Sequence, residues 1–376
     1  MAKRRISVAD IMVGQPLPWN AYDANGRLLL HAGEVVANPM QVERMVAQGL
    51  FSEMGDSGDE GAGKAAKEAP STVRMINRAN ELLRHTLPKL QELDGAEEKL
   101  LRISQLILDA IKLEPDIAVA CVSLNQDAAP YVIRHCVDTA IVAALISQAM
   151  GVSDDKTLYT VAAALTANLG MLQYQEELNR KTEPLTKEEK ARIHEHPKQS
   201  VEMLQTAGIT QKQWLSYVLY HHENEDGSGY SVGKKGDEIP LGAKLIGLAD
   251  RYCARVTNAG YQKQALPSKA LRDLLLNNGK DTAPQLAAYF IKVIGLYPPG
   301  VLVMLASGET GIVTTKDPVK GHPMVRVTFS KSGSLVDSAI LRETSKPMYT
   351  IKEEIPKQVA GAQFAMSKIW GDTAAF

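Results

Sequence analysis

The stretch that decides the fold is His221-His222-Glu223-Asn224-Glu225-Asp226-Gly227-Ser228-Gly229-Tyr230, in which two adjacent histidines precede an acidic, glycine-rich loop. Upstream of it, Trp214, Val218 and His221 recur at i, i+4 and i+7, which predicts a helix with His221 on its inward face. His222 lies about 100° further round and points elsewhere, and Gly227 and Gly229 let the chain end the helix and turn. Neutral imidazoles converging at a helix end can ligate a metal. One core histidine and one capping histidine before a surface turn is the other interpretation of this stretch.

Composition narrows the class of protein. The 376 residues are 45% hydrophobic but only 5% aromatic, which favours a helical body over a β-sandwich. The 42 basic and 43 acidic residues leave no net field that would attract nucleic acid or anionic lipid. Three scattered cysteines indicate a reducing compartment without disulfides. With no apolar leader at the N-terminus and no stretch as long as a membrane span, we expect a cytoplasmic protein.

Periodicity and composition divide the chain into segments of different character, and the predicted fold is mainly α. Six segments are predicted: a small α+β module at 1–52, a flexible glycine-rich linker at 53–72, connecting helices at 73–115, a helical domain at 116–300, a short β segment at 301–345 and a tail at 346–376. The α+β module is predicted from a hairpin turn at Asp23–Gly26 and a helix at Pro39–Gly49. It carries no evident chemistry, and a sensory role and a structural one are equally compatible with it.

Four histidines and one aspartate fall on neighbouring predicted helices of the domain. They are His135, His196, His221, His222 and Asp250. The sequence around Asp250 is apolar, and a carboxylate in such a setting needs a cationic or metal partner. One histidine on an apolar helix is usually structural, but four histidines and an aspartate on neighbouring helices are harder to explain in that way.

Several of these segments, in this order, resemble an HD-GYP domain, the branch of the HD phosphohydrolase superfamily whose members hydrolyse cyclic di-GMP. His135 matches the first histidine ligand of that family, and the segments Leu185–Glu189 and His194–Pro197 match its stretch that ends in His-Pro. The stretch from His221 to Tyr230 is similar to its signature loop, at Asp226, Gly227, Gly229 and Tyr230. The segment Ile239–Asp250 resembles its helix that carries the last aspartate ligand. The resemblance implies a helical bundle, a divalent metal and a cyclic dinucleotide as ligand.

The departures from this pattern bear on activity. In the family, a His-Asp pair followed by a lysine stands where this chain has Ala167, Asn168 and Met171. The family's aspartate bridges two metal ions, and an amide is a poor bridge between two cations that repel each other. The resemblance therefore implies that a two-metal site and its bridging hydroxide do not form.

The segment that holds phosphate in the family is also altered. Ala259, Gly260, Tyr261 and Gln262 replace its Arg-Pro-Tyr-Arg/Lys, which leaves Tyr261 and the adjacent Lys263 as candidate substrate contacts. Ser231 replaces the proline of the signature loop. Tyr131 stands where some members of the family have a glutamate for a third metal, which predicts that no three-metal site forms.

Two functions compete on this reasoning. The first is a non-catalytic regulator of cyclic di-GMP signalling, which binds the nucleotide or a protein partner such as a GGDEF-domain protein. The second is a phosphodiesterase with an altered, mononuclear site. A single Fe, Mn or Zn ion and a metal-free cluster of hydrogen-bonded histidines both fit the remaining residues.

Overall fold

A computed structural model of the chain gives its architecture. It describes residues 3–5, 21–23, 28–31, 34, 51–53, 70–181, 183–257, 265–276, 280, 282–317, 321–336, 340–356 and 366–375. The chain separates into two compact units, Met1–Glu68 and Ala69–Phe376. The finer segment boundaries proposed above remain predictions.

The first unit contains four short strands: β1 (Lys3–Arg5), β2 (Ala21–Tyr22), β3 (Leu28–Leu30) and β4 (Phe51–Glu53). They form an antiparallel sheet in the order β1-β4-β2-β3. Strands β2 and β3 pair directly, as expected for the predicted hairpin. The turn residues 24–26, the predicted helix at 39–49 and most of the predicted linker lie outside the described residues.

The second unit is built mainly from helices. They are α1 (Thr72–Thr86), α2 (Ala96–Leu113), α3 (Pro115–Leu124), α4 (Tyr131–Ala149), α5 (Asp154–Thr166), α6 (Leu172–Asn179), α7 (Lys187–Thr206), α8 (Lys212–Tyr220), α9 (Leu241–Val256), α10 (Pro267–Leu276), α11 (Pro284–Val293) and α12 (Met366–Trp370). Local signals set several boundaries. Thr186 and Glu189 form a capping box at the start of α7, and Gly151, at a φ of 71°, follows the end of α4.

Helix α4 is the centre of the bundle. It packs against α5 and α9 and also contacts α1, α2 and α3. It is long and apolar enough to cross a membrane, contrary to the expectation that no stretch reaches that length. Most of its surface is buried against its neighbours, so its apolar character fits the core helix of a globular domain.

The C-terminal β segment is a five-stranded antiparallel sheet. Its strands are β5 (Leu302–Leu305), β6 (Thr310–Lys316), β7 (Pro323–Phe329), β8 (Leu341–Glu343) and β9 (Ile351–Glu354), in the order β8-β7-β6-β5-β9. The last strand, β9, lies in the segment that was predicted as a tail. The predicted fold class, a mainly α domain with a β appendage, is confirmed.

The last described residues of the chain contact the start of α1, the first helix of the second unit. Ser71 is the N-cap of α1, and its hydroxyl donates a hydrogen bond of 2.6 Å to the carbonyl of Ala375. Trp370 also donates from its indole nitrogen to the carbonyl of Thr314 on β6. The C-terminal helix therefore contacts both the helical body and the sheet.

Candidate metal centre

The candidate site lies where five chain segments meet. His135 is near the start of α4, Asn168 follows α5, His196 is on α7, and Asp250 is on α9. His221 and His222 directly follow α8, which ends at Tyr220 rather than at the glycines of the loop. Several of these residues line one cavity of about 370 Å³, whose walls also include Met171, Leu172, Leu185, Tyr131 and Tyr230.

Three of the predicted ligands form one cluster. The ligand atoms of His196, His221 and His222 all lie within 4.8 Å of one another. His196 and His221 are each 1% exposed, and His222 is partly buried. Three imidazoles at this spacing are a donor set typical of a zinc, iron or manganese site.

The ring protons of two of these histidines are fixed by the backbone. His196 donates from Nδ1 to the carbonyl of Ile193 at 2.6 Å, and His221 donates from Nδ1 to the carbonyl of Val218 at 2.7 Å. These partners assign the proton of each neutral ring to Nδ1. The two Nε2 atoms, 3.2 Å apart, then face each other as lone pairs with no hydrogen between them. A cation bound by both nitrogens would satisfy them, and a backbone acceptor on the second nitrogen is the usual support of a metal-ligating histidine.

Burial keeps the cluster neutral. It lowers the pKa of His196 to about 3, with a further contribution from His221. Burial also lowers the pKa of His221 and places that of His222 well below its usual value. All three imidazoles are therefore unprotonated near pH 7, which is the form that binds metal.

The other two predicted ligands pair with each other. His135 donates from Nε2 to Oδ1 of Asp250 at 2.8 Å. Burial alone would raise the pKa of Asp250, but the His135 hydrogen bond and the nearby imidazoles hold it well below its usual range. The carboxylate of Asp250 is therefore charged. The partner expected for a carboxylate in apolar surroundings is His135.

Asn168 is a second donor to the same carboxylate. Its Nδ2 lies 3.3 Å from Oδ1 of Asp250, which therefore accepts from both an imidazole and an amide. Ala167, beside it, is 1% exposed, and its carbonyl accepts a hydrogen bond from Ser200. Met171 is 7% exposed and lines the cavity.

Some residues that support the site do not stand out in the sequence. Gly170 lies so close to α7 that a Cβ would come within 2.7 Å of the carbonyl of His196 and of Cβ of Gln199. Its N–H donates to Ser200 Oγ at 2.8 Å. Trp214, placed on the inward face as predicted, donates to Thr166 Oγ1 at 2.9 Å and so ties α8 to the end of α5. The sequence signal for the close approach to α7 is Gly170 itself, which lies two residues after Asn168.

The signature loop folds back onto the histidine pair. Tyr230 donates its N–H to the carbonyl of His222, and a Cβ on Gly229 would lie 2.4 Å from that carbonyl. Glu223 accepts from the N–H groups of Val232 and Gly233, which closes the loop. Asp226 and Gly227 lie on the outer part of the loop. The candidate substrate contacts Tyr261 and Lys263, with Ala259 and Gly260, lie outside the described residues.

Known proteins resemble the part of the chain that holds these residues. Residues 117–285 match the family model of the HD domain. The chain is also similar to a cyclic di-GMP phosphodiesterase of Pseudomonas aeruginosa, at 28% identity over 204 residues, covering 53% of this chain and 48% of the relative.

Two further comparisons agree. The cyclic di-GMP phosphodiesterase PdeB of Borreliella burgdorferi is 27% identical over 210 residues, covering 56% of this chain and 55% of the relative. The chain therefore matches about half the length of each of these relatives. A solved HDG"Y"P protein from Bdellovibrio bacteriovorus shares the fold, with a TM-score of 0.53 at 15% identity over 77% of this chain and 98% of that one. The HD-GYP resemblance of the sequence is confirmed.

Proposed function

We propose that this HD-domain protein is a non-catalytic regulator of cyclic di-GMP signalling, which binds a cyclic dinucleotide or a protein partner without hydrolysing the nucleotide. One observation carries the proposal: Asn168 donates a hydrogen bond to Asp250 at the position where the HD-GYP resemblance calls for a bridging carboxylate. An amide that donates to this carboxylate supplies no negative charge between two cations. Ala167, in the histidine position, contributes no ligand at all.

The residues present fit one metal ion rather than two. His196, His221 and His222 offer three nitrogens, and Asp250 is held by His135 and Asn168 instead. When bound, a single ion would supply a Lewis acid that attracts a phosphate oxygen. The chain itself supplies three neutral imidazoles as ligands, and backbone carbonyls hold two of them, His196 and His221, in orientation.

The cavity beside this cluster offers few charges for a phosphodiester. Lys190 is the basic residue of its described lining, whereas Met171, Leu172 and Ile193 present apolar surface. Charge-assisted hydrogen bonds contribute about 1.5–3 kcal/mol each, so each missing cation weakens binding to a charged transition state. Tyr131, which lines the same cavity, adds an aromatic ring against which a nucleobase can pack. This lining fits binding better than turnover.

The relatives suggest which ligands to test. Those named above are cyclic di-GMP phosphodiesterases, and a 3'3'-cGAMP-specific phosphodiesterase of Vibrio cholerae is also similar, at 27% identity over 169 residues, covering 45% of this chain and 36% of the relative. We therefore propose a cyclic dinucleotide as the ligand, with a GGDEF-domain protein as the candidate partner and the cytoplasm as the compartment.

The test is a hydrolysis assay with restored and disabled variants. The purified protein is incubated with cyclic di-GMP and Mn²⁺ or Fe²⁺, and the linear dinucleotide and GMP are quantified. We expect no turnover by the wild type and measurable turnover by the double variant Ala167→His/Asn168→Asp. Turnover by the wild type that is lost in His221→Ala would refute the proposal.

A second candidate function has its own support. The three-histidine cluster could hold one ion in a mononuclear phosphodiesterase. Metal analysis of the purified protein separates this case from an empty cluster, and the turnover assay separates it from a regulator that binds metal.

A further inference from the structure

Three rings form a stack at the edge of the histidine cluster. Tyr230 lies between His194 and His222, with ring centroids 4.0 Å and 4.6 Å apart and interplanar angles of 13° and 24°. His194 lies on α7 and is exposed. Its ring nevertheless covers the outer face of Tyr230, and it lines the cavity.

The three histidines of the cluster are not held in the same way. His196 and His221 each donate from Nδ1 to the carbonyl three residues earlier, at Ile193 and Val218. That contact fixes both the tautomer and the rotation of each ring. It leaves Nε2 as the free ligand atom of both.

The corresponding acceptor for His222 is occupied by another group. The carbonyl three residues before it belongs to Leu219, and this carbonyl accepts a hydrogen bond of 3.0 Å from the hydroxyl of Ser231. Ser231 is the residue that replaces the proline of the signature loop. The His222 ring has aromatic contacts instead: Tyr230 at a centroid distance of 4.6 Å, His221 at 4.0 Å and, edge-on, His196 at 5.0 Å.

We propose that His194 is a positioning residue for metal binding: by stacking on Tyr230, it holds the ring of His222 in the orientation in which this histidine completes the three-nitrogen site. The inference rests on the proposed single-metal site and adds to it a residue outside the three-nitrogen ligand set.

The geometry supports transmission through the stack. Tyr230 is anchored by its N–H to the carbonyl of His222, which fixes the tyrosine backbone directly beside the histidine. Its ring stacks on His222 with one face and on His194, at 4.0 Å, with the other, so that His194 adds to the contacts that hold the Tyr230 ring against His222.

The experiment compares two substitutions of His194 with a neighbouring control. His194→Ala removes the outer ring, His194→Phe keeps an aromatic ring without nitrogen, and Glu195→Ala changes the next exposed residue of the same helix. Affinity for Co²⁺ is measured by competition with a chelator, and the visible spectrum of the Co²⁺ form reports its coordination. In the metal-free protein, ¹⁵N-histidine NMR follows the ring of His222.

We expect His194→Ala to bind Co²⁺ about tenfold more weakly, as is typical when the support of a ligand is removed, with an altered visible spectrum. His194→Phe and Glu195→Ala should stay within about threefold of the wild type. The His222 ring resonances should be broadened by exchange in His194→Ala and sharp in His194→Phe.

Wild-type affinity and spectrum in His194→Ala would overturn the inference, as would a His194→Phe variant as weak as His194→Ala. If the wild type binds no Co²⁺, the proposed metal site is wrong. The NMR comparison then decides the role of His194 by itself: equal His222 line widths in wild type and His194→Ala would overturn it.

Discussion

Replacing Asn168 with aspartate tests the central electrostatic feature of the site. In the wild type, the Asn168 amide donates to Asp250 across 3.3 Å. Asn168→Asp removes this charge-assisted hydrogen bond, which is worth about 1.5–3 kcal/mol. It also places a second carboxylate next to one that is charged, since the pKa of Asp250 is held low.

The magnitude follows from the separation. Two unit charges 3.3 Å apart repel by about 5 kcal/mol at an effective dielectric constant of about 20. The variant can avoid this repulsion by protonating one of the two carboxyls. At pH 7 that protonation costs about 4 kcal/mol, because each pH unit above the usual aspartate pKa costs about 1.4 kcal/mol, and this sets the upper limit of the penalty. Position 168 is only partly buried, so water screens part of the repulsion. We expect the metal-free variant to lose about 3–5 kcal/mol of unfolding free energy.

The sign of the pH dependence is also defined. A carboxyl whose pKa is raised in the folded state is destabilising above its unfolded pKa, and the penalty disappears as pH falls toward about 4. The difference between Asn168→Asp and wild type should therefore shrink between pH 7 and pH 4.5. Because divalent ions bind paired carboxylates, Mn²⁺ should recover much of the lost stability of the variant.

The assay is urea unfolding with and without Mn²⁺, and Asn168→Ala is the matched control. That control loses the hydrogen bond without adding a charge, so we expect a loss of about 1.5–3 kcal/mol that Mn²⁺ does not restore. A metal-free Asn168→Asp protein as stable as the wild type at pH 7 would refute this account of the site.

Three further predictions concern the same region. As pH drops below about 6.5, His196 alone should lower the unfolding free energy by about 1.4 kcal/mol per pH unit, because the pKa of this buried ring is lowered to about 3 in the folded state. In urea unfolding between pH 7 and pH 5, the unfolding free energy of His196→Gln should therefore depend less steeply on pH than that of the wild type. Gly170→Ala should lose about 1–3 kcal/mol, because the new methyl group meets the backbone of α7 at 2.7 Å, and Co²⁺ affinity should fall with it; unchanged thermal unfolding would contradict the close approach. Trp214→Phe should lose about 1–3 kcal/mol of unfolding free energy in urea, because it leaves the buried hydroxyl of Thr166 without its indole donor. A change below about 0.5 kcal/mol, the size expected for a surface substitution, would show that this hydrogen bond contributes little.

Much of the bundle could be predicted because its helices follow local rules. Leu100, Ile103 and Ile107 recur at the 3.6-residue period of α2 and are buried, and the capping box of Thr186 and Glu189 begins α7. The order of the motifs along the chain is enough to predict the HD-GYP resemblance. These features depend on residues close together in sequence.

The remainder depends on contacts between distant segments. Nothing local reveals that Asn168 reaches Asp250, 82 residues away, or that His135 reaches the same carboxylate across 115 residues. Helical period puts His194 and His196 on different faces of α7, and it contains no information about Tyr230 in a following loop. Strand β9, in the segment predicted as a tail, is likewise defined by its pairing with β5.

The hydrogen bond between Ser71 and Ala375 brings the two ends of the second unit to within a single contact. A module whose ends meet can be inserted into a host loop with little distortion of either partner, or reopened elsewhere after its original ends have been joined by a short peptide. The second unit could therefore be inserted into a surface loop of another protein through the neighbouring segments at Ser71 and Ala375.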